Sequence, residues 1–258
     1  MTDTPLPFPD HTTAPTGPTD DPLTLLATET ELTGLDFTGL DLRPALRPAL
    51  RGAPQRRTFT RCVFTEANLR GTHLADAVFT DCTAVKADFT GAVLDHARWQ
   101  GGSAADANFT DADCDDLTCD GTDLANTKWS GALLADAAFT GCRMIGARLT
   151  RHRGLGLRLT RCNLAVANLN GVSLRGAHLV GIRFTEADLG GVDFRDCLLD
   201  DCRLAEANLR AADFTGADLR GADLGDLTIA TAAHFRGAII SPSQAAQICS
   251  ALGLTVLA

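Results

Sequence analysis

Six histidines, nine cysteines and a dense run of aspartates are the residues with which this chain could do chemistry. The histidines stand at 11, 73, 96, 152, 178 and 234, and none falls in an HExxH or triad-like setting. Asp95 and His96 are adjacent in sequence, yet neighbours on an outward turn need not act as an acid–base pair. Nine cysteines is an odd count with no CxxC, which argues against a disulfide framework and against a zinc site. No phosphate-cradling GxGxxG or GxxxxGK[ST] stands between a strand and a helix. The chain is therefore expected to be no enzyme, with no catalytic residue, no metal and no cofactor.

The aspartates suggest different chemistry. Asp111, Asp113, Asp115, Asp116, Asp120 and Asp123 put six carboxylates into 13 residues. The formal charge of -9 is concentrated there: residues 59–140 carry -8, residues 1–58 carry -3, and residues 141–229 carry +1. A band of arginines follows at 143, 148, 151, 153, 158 and 161. The net charge disfavours a protein that coats nucleic-acid phosphates, so no direct nucleic-acid contact is expected. No apolar run approaches the roughly 18 residues of a membrane span. The first residues lack the basic and apolar regions of a signal peptide, so a cytoplasmic location is expected.

What positions these residues is a five-residue period. Every fifth residue from Phe59 to Ile229 gives 35 positions, of which 17 are Leu and nine are Phe. The large apolar set also takes Trp99, Trp129, Met144 and Ile229; the exceptions are Ala84, Ala104, Cys114, Cys119 and Gly154. A small residue, most often Ala or Cys, sits two before nearly all of them, and Asp or Asn often stands one before. Five is odd, so a flat strand would send successive Leu and Phe to opposite faces. The chain must turn after each unit, and four turns make a square coil of 20 residues. Cys62, Cys82, Cys142, Cys162 and Cys202 share one register modulo 20, as a buried column would. In the same register Asp76, Asp116, Asp136 and Asp196 form an outward column, and Asp95 and Asp115 form the next.

Proline marks the limits of this body, since none of the ten lies between 55 and 241. Residues 1–29, rich in Pro and Thr, are expected to be a disordered tail. The solenoid is expected over 30–237. An early fragment, Leu32, Phe37 and Leu42, runs in another register, separated by an insertion at 43–57. That insertion carries Arg43, Arg47, Arg51, Arg56 and Arg57 with no acid, and reads either as a solvated linker or as a basic loop contacting a partner. The segment 151–158, with Gly154 at a central position and His152 in place of a small residue, reads as a bulge or kink, or as a hinge. After Ile229 the frame shifts by one, making Phe235 and Ile240 the next central residues. Ser241-Pro242-Ser243-Gln244 is a capping box that opens a helix, with Ala245, Ile248, Cys249 and Leu252 on one face and Gly253 as its stop. Residues 238–258 are expected to cap the rod, to dimerise it, or both.

The recurrent Ala-Asp/Asn-Leu units, such as Ala67-Asn68-Leu69 and Ala217-Asp218-Leu219, resemble the pentapeptide-repeat family. That resemblance implies an all-β fold, a right-handed quadrilateral parallel β-helix with a short C-terminal capping and dimerisation helix. Residues 57–231 would make 8.75 coils, roughly 42 Å at the usual strand spacing. The ending, with Gly237, Gln244, Ala245, Leu252, Gly253 and Val256, is similar to that of Qnr- and MfpA-type proteins, which protect DNA gyrase. The resemblance implies a homodimer formed through Ile248, Leu252, Leu254 and Val256. It also implies a topoisomerase partner, DNA gyrase or topoisomerase IV, met by charge complementarity. The expected contacts are an acidic face of Asp76, Asp95, Asp111, Asp113, Asp115, Asp116, Asp120 and Asp136, and the arginines of 43–57. The alternative reading is a scaffold solenoid with a different protein partner.

Overall fold

The structure, a computed structural model, describes residues 21–46 and 56–256. Ten short parallel strands follow one another in chain order in a single sheet. They are β1 (Glu31–Thr33), β2 (Thr58–Thr60), β3 (Val78–Thr80), β4 (Arg98–Gln100) and β5 (Thr118–Asp120), then β6 (Ala138–Thr140), β7 (Arg158–Thr160), β8 (His178–Val180), β9 (Leu198–Arg203) and β10 (Asp218–Asp223). From β2 to β6 each pairs with the next at an offset of 20, as in Phe59 with Phe79 and Phe79 with Trp99. Single bridges repeat that offset on the other sides, for example Val63 with Thr83, Asn68 with Asp88 and His73 with Val93. The chain is a right-handed square coil, with β1–β8 on its first face, β9 and β10 running from that face into the second, and bridged stretches on the second, third and fourth. Nine strand spacings of about 4.8 Å give a rod of roughly 43 Å.

The period of five works because each unit turns a corner. Two residues after each central residue the backbone commonly enters the left-handed region, as at Asp76, His96 and Asp116 with φ of 58°, 57° and 51°. The central residue and the one two before it then both point inward. Rings one coil apart stack: Phe79 on Trp99 at 4.3 Å, Phe89 on Phe109 at 4.9 Å and Phe109 on Trp129 at 4.2 Å between centroids. Eight of the nine cysteines are buried in this core. Burial pushes the thiols of Cys197 and Cys202 up to about 11. They pack as small apolar side chains with weak S–H bonds to carbonyls one coil away, such as Cys82 to Phe59 at 3.3 Å.

Among the described residues one buried side-chain donor lacks a partner. Trp129 donates Nε1–H to the Thr127 hydroxyl at 2.9 Å, whereas Trp99 Nε1, with Ala97 two residues before it, finds none. An unmade bond at a buried donor costs about 1–3 kcal/mol. Ala97→Ser places a hydroxyl where Thr127 has one, and we expect it to raise stability by about 1 kcal/mol in urea unfolding. An unchanged or lower midpoint would show that the site has no room for the oxygen.

The structure departs from the sequence expectations at several points. Residues 22–28 of the segment read as tail form a helix, α1 (Pro22–Thr28), with Pro22 in its first turn and Leu26 buried. It holds because Arg57 donates to the carbonyls of Leu26 at 2.6 Å and Glu29 at 2.8 Å, tying the helix end to the first coil. Residues 1–20 lie outside the described residues. The early fragment does not run apart from the solenoid: Leu32 pairs with Phe59, and Asp36 and Asp41 bridge Val63 and Asn68. Its register differs because the insertion makes that coil 27 residues long. Ile229 is not a core residue; the last central residue in the original frame is Leu224, and Ile229 opens α2 (Ile229–Ala232) and is 62% exposed. The coil yields there because Thr228 caps that helix reciprocally with Thr231.

The frame shift is as expected: Phe235 is buried against Phe214, and Ile239 bridges Asp218, 21 residues away. The final helix, α3 (Pro242–Ala251), starts at the Ser241–Gln244 capping box. Gln244 Nε2 donates to the carbonyls of Leu219 and Ala222, both at 2.8 Å, so this side chain closes the last coil's open edge.

The segment 151–158 is a kink. On the fourth face Leu133 bridges Arg153 and Ser173 bridges Asp193, but no bridge joins 153 to 173 among the described residues. Gly154 supplies no side chain to the core, and a Cβ there would lie 2.6 Å from the Ala135 nitrogen. Leu155 is turned out and is 78% exposed.

Candidate partner-binding face

The coil explains why aspartate is common before it explains what aspartate does. The residue before the central one uses its carboxylate or amide oxygen to accept the backbone N–H two residues on. Asp88 with Thr90 (3.0 Å), Asp123 with Ala125 (3.1 Å) and Asp213 with Thr215 (2.9 Å) show the pattern. The corner residue needs a positive φ, which Asp and Asn tolerate better than most. Eight of the nineteen non-glycine residues with positive φ among the described residues are Asp. Asp113 serves in the first way, accepting the Asp115 amide at 3.4 Å. Asp76, Asp111, Asp116 and Asp136 serve in the second.

Asp95, Asp115 and Asp120 serve in neither. They follow the central residue on the flat of a face, where the coil asks for no carboxylate. Asp95 and Asp115 lie one coil apart on the fourth face, beside Asp113. Asp76, Asp116 and Asp136 line the corner that leads from this face to the first, and Asp111 occupies the corner that enters it. The predicted set therefore converges, except that Asp120 lies on the first face, at the end of β5. The Asp95 Oδ1 is buried and has no hydrogen-bond partner.

What marks this band is the density of its carboxylates and how few of them meet a cation. Some aspartates outside the band are paired: Asp88 with Arg70 (3.0 Å), Asp123 with Arg143 (2.9 Å), Asp193 with Arg195 (2.7 Å) and Asp218 with Arg220 (2.6 Å); others, such as Asp81, Asp106, Asp188 and Asp201, have no ion pair among the described residues. Hydrogen bonding from Arg195 holds the Asp193 carboxyl below its ordinary range, and that from Arg220 brings Asp218 down to about 2. Inside the band, Asp76, Asp111, Asp113, Asp115 and Asp120 have no ion pair among the described residues. His96 stands between Asp95 (3.7 Å) and Asp116 (3.6 Å). Asp136 closes the band, with Arg158 at 3.7 Å. Like charges stacked on a sheet face oppose folding, so the rod retains here a charge arrangement that its own stability does not favour.

The other predicted residues are less united. Arg57 holds the end of α1 through the carbonyls of Leu26 and Glu29. Arg43 is paired with Asp41 at 2.7 Å. Arg56 is exposed. Arg47 and Arg51 lie outside the described residues. At the other end Ile248 is half-buried, while Leu252, Leu254 and Val256 are 49%, 58% and 53% exposed. No helix among the described residues is long and apolar enough to cross a membrane.

Comparison with known proteins agrees with this geometry. A family model described as "Pentapeptide repeat region" matches residues 55–129 and 157–235, and one described as "Pentapeptide repeats (8 copies)" matches 119–151. The kink around Gly154 falls between these matches. No curated protein gives a significant sequence match. Among solved structures, a trypsin-treated variant of QnrB1, a plasmid-mediated fluoroquinolone resistance protein, superimposes with a TM-score of 0.65 at 21% identity. That match covers 87% of this chain and 99% of the other. Full-length QnrB1 gives 0.58 at 20% identity, covering 87% and 100%.

Proposed function

This chain belongs to the pentapeptide-repeat family, and on that premise we propose that it is a non-enzymatic mimic of duplex DNA. In this reading it binds a type II topoisomerase, DNA gyrase or topoisomerase IV, in the cytoplasm and protects it from a poison. The observation that carries the reading is the cluster of carboxylates on the fourth face and its two corners, where Asp76, Asp111, Asp113 and Asp115 have no ion pair among the described residues. B-DNA presents regularly spaced negative charge along a rod, and an enzyme that grips DNA offers a basic saddle complementary to such a rod. The fold shared with a fluoroquinolone resistance protein supports the choice of partner. Protection then follows from binding: the rod competes for the DNA site or favours release of the drug from the stalled complex. The outcome in the cell is drug resistance or self-immunity. Titrating gyrase with the purified chain at rising salt tests this, since a charge-steered complex weakens steeply as ions screen it. A salt-independent complex, or none, would refute the mimicry.

Residues 238–258 complete the proposal as a dimer cap. Leu252, Leu254 and Val256 give an apolar edge at the free end of the rod, and a two-fold dimer would match a two-fold enzyme. We expect the protein to elute as a dimer in size exclusion with light scattering. Leu252→Asp with Leu254→Asp should convert it to a monomer with its β-helix circular dichroism intact. A wild-type monomer would remove the dimer from the account. The insertion 43–57, through Arg43, Arg47, Arg51 and Arg56, is proposed as a secondary contact with acidic surface on the enzyme.

A further inference from the structure

The rod carries a second charged site on the second face, across the coil from the acidic band. Arg183 and Arg203 are direct neighbours in its ladder, one coil apart. Arg161 stands at the corner leading into that face, with φ of 51°. None of the three has an ion-pair partner among the described residues, although Arg143, Arg158, Arg175, Arg195 and Arg220 all do. The corner positions one coil before and one coil after Arg161 are Gly141 and Gly181. A Cβ on Gly181 would lie 3.2 Å from Arg161 Cγ, so a larger residue there would crowd the guanidinium stem. The glycines leave a hollow of about 390 Å³ lined by Arg143, Arg161, Asn163, Arg183, Asp201 and Arg203. Asp201 is its one carboxylate and forms no ion pair with these arginines.

Like charges directly opposite in a sheet repel, and among the described residues no ion pair offsets this repulsion; Asp201 is the one carboxylate near it. Guanidinium groups are planar and weakly hydrated, and bind tetrahedral oxyanions through paired N–H donors. A coil spacing of about 4.8 Å lets two of them hold one phosphoryl group. We propose that Arg161, Arg183 and Arg203 form a binding site for a phosphoryl oxyanion, carried by a free polyphosphate or by a nucleic-acid backbone. Asn163 adds an amide donor at its rim. The site is opposite in sign and position to the acidic band, so it stands whether or not the band meets a topoisomerase.

Binding to the full chain is measured with two probes at low salt: inorganic pyrophosphate by calorimetry and a short DNA duplex by fluorescence anisotropy. Binding of pyrophosphate alone identifies a free phosphate as the source, and binding of the duplex identifies a nucleic-acid backbone. In either case Arg183→Gln and Arg203→Gln should each weaken binding about tenfold. Asp201→Asn should tighten it, an effect that a purely structural role for the arginines does not produce. Arg210→Gln, an exposed arginine on the third face without an ion pair, should leave it unchanged. The arginine variants should melt no lower than the wild type, because each relieves repulsion. The proposal is overturned if neither probe binds, or if the Arg183 and Arg203 variants bind as the wild type does.

Discussion

Replacing Asp95, Asp113, Asp115 and Asp116 together by Asn should weaken the complex with gyrase by about tenfold or more and flatten its salt dependence. Asparagine is chosen because it preserves what the coil takes from these residues. An Asn at 113 still accepts the backbone amide two residues on, and an Asn at 116 still tolerates a positive φ. Asp95 and Asp115 give the coil nothing that Asn withholds. The substitutions therefore remove charge with little change in backbone geometry, and the melting temperature should stay the same or rise as stacked like charges are relieved. Binding is read by calorimetry across a salt series, and stability by thermal unfolding of the same samples. Binding unchanged at all salt concentrations would place the contact surface elsewhere on the rod.

The second large effect concerns the coil that carries this band. Gly102, two residues before the central Ala104, has a φ of 66°. A Cβ there would overlap the Cys82 carbonyl oxygen and lie 2.8 Å from the Cys82 nitrogen. Both atoms are backbone and cannot rotate away. Gly102→Ala must lift one coil off the next, stretching the Ser103 N–H to Cys82 bond of 2.9 Å. Left-handed strain and overpacking together should cost about 3 kcal/mol or more. Gly121 offers the control, with a φ of 61° and nothing within 4 Å of a Cβ. Gly121→Ala should cost only the left-handed backbone term, about 1–2 kcal/mol. Equal unfolding midpoints for the two variants would show that coil contact contributes nothing at Gly102. Because each coil is stabilised only by its neighbours, loosening at 102 also reaches Asp95 and Asp115 in the adjoining coils.

Much of this was legible in the sequence because the repeat is strict. The period of five, the column of cysteines and the stop at Pro242 give the coil, its register and its final cap without a structure. What was not legible depends on partners distant in the chain. Pro22 to Thr28 has the composition of a tail, and becomes a helix only because Arg57 reaches the carbonyls of Leu26 and Glu29. Ile229 continues the period, so the numbers place it in the core; the local cap at Thr228 takes the chain out of the coil first. The acidic columns follow from arithmetic, but their meaning does not. Counting could not distinguish Asp113 and Asp116, which the turns themselves employ, from Asp95 and Asp115, which they do not. Nor could the arginines after residue 141 be divided by sequence into those that answer an aspartate and those, such as Arg183 and Arg203, that have no ion pair among the described residues.

The central claim is that this rod shields a topoisomerase by presenting itself as DNA. Its most direct test is gyrase supercoiling in the presence of a fluoroquinolone or another gyrase poison, with the wild-type chain and the four-Asn variant compared side by side. The account predicts that the wild type restores supercoiling at concentrations where the variant does not. Failure of the wild type with every poison tried, or equal rescue by both proteins, would contradict it.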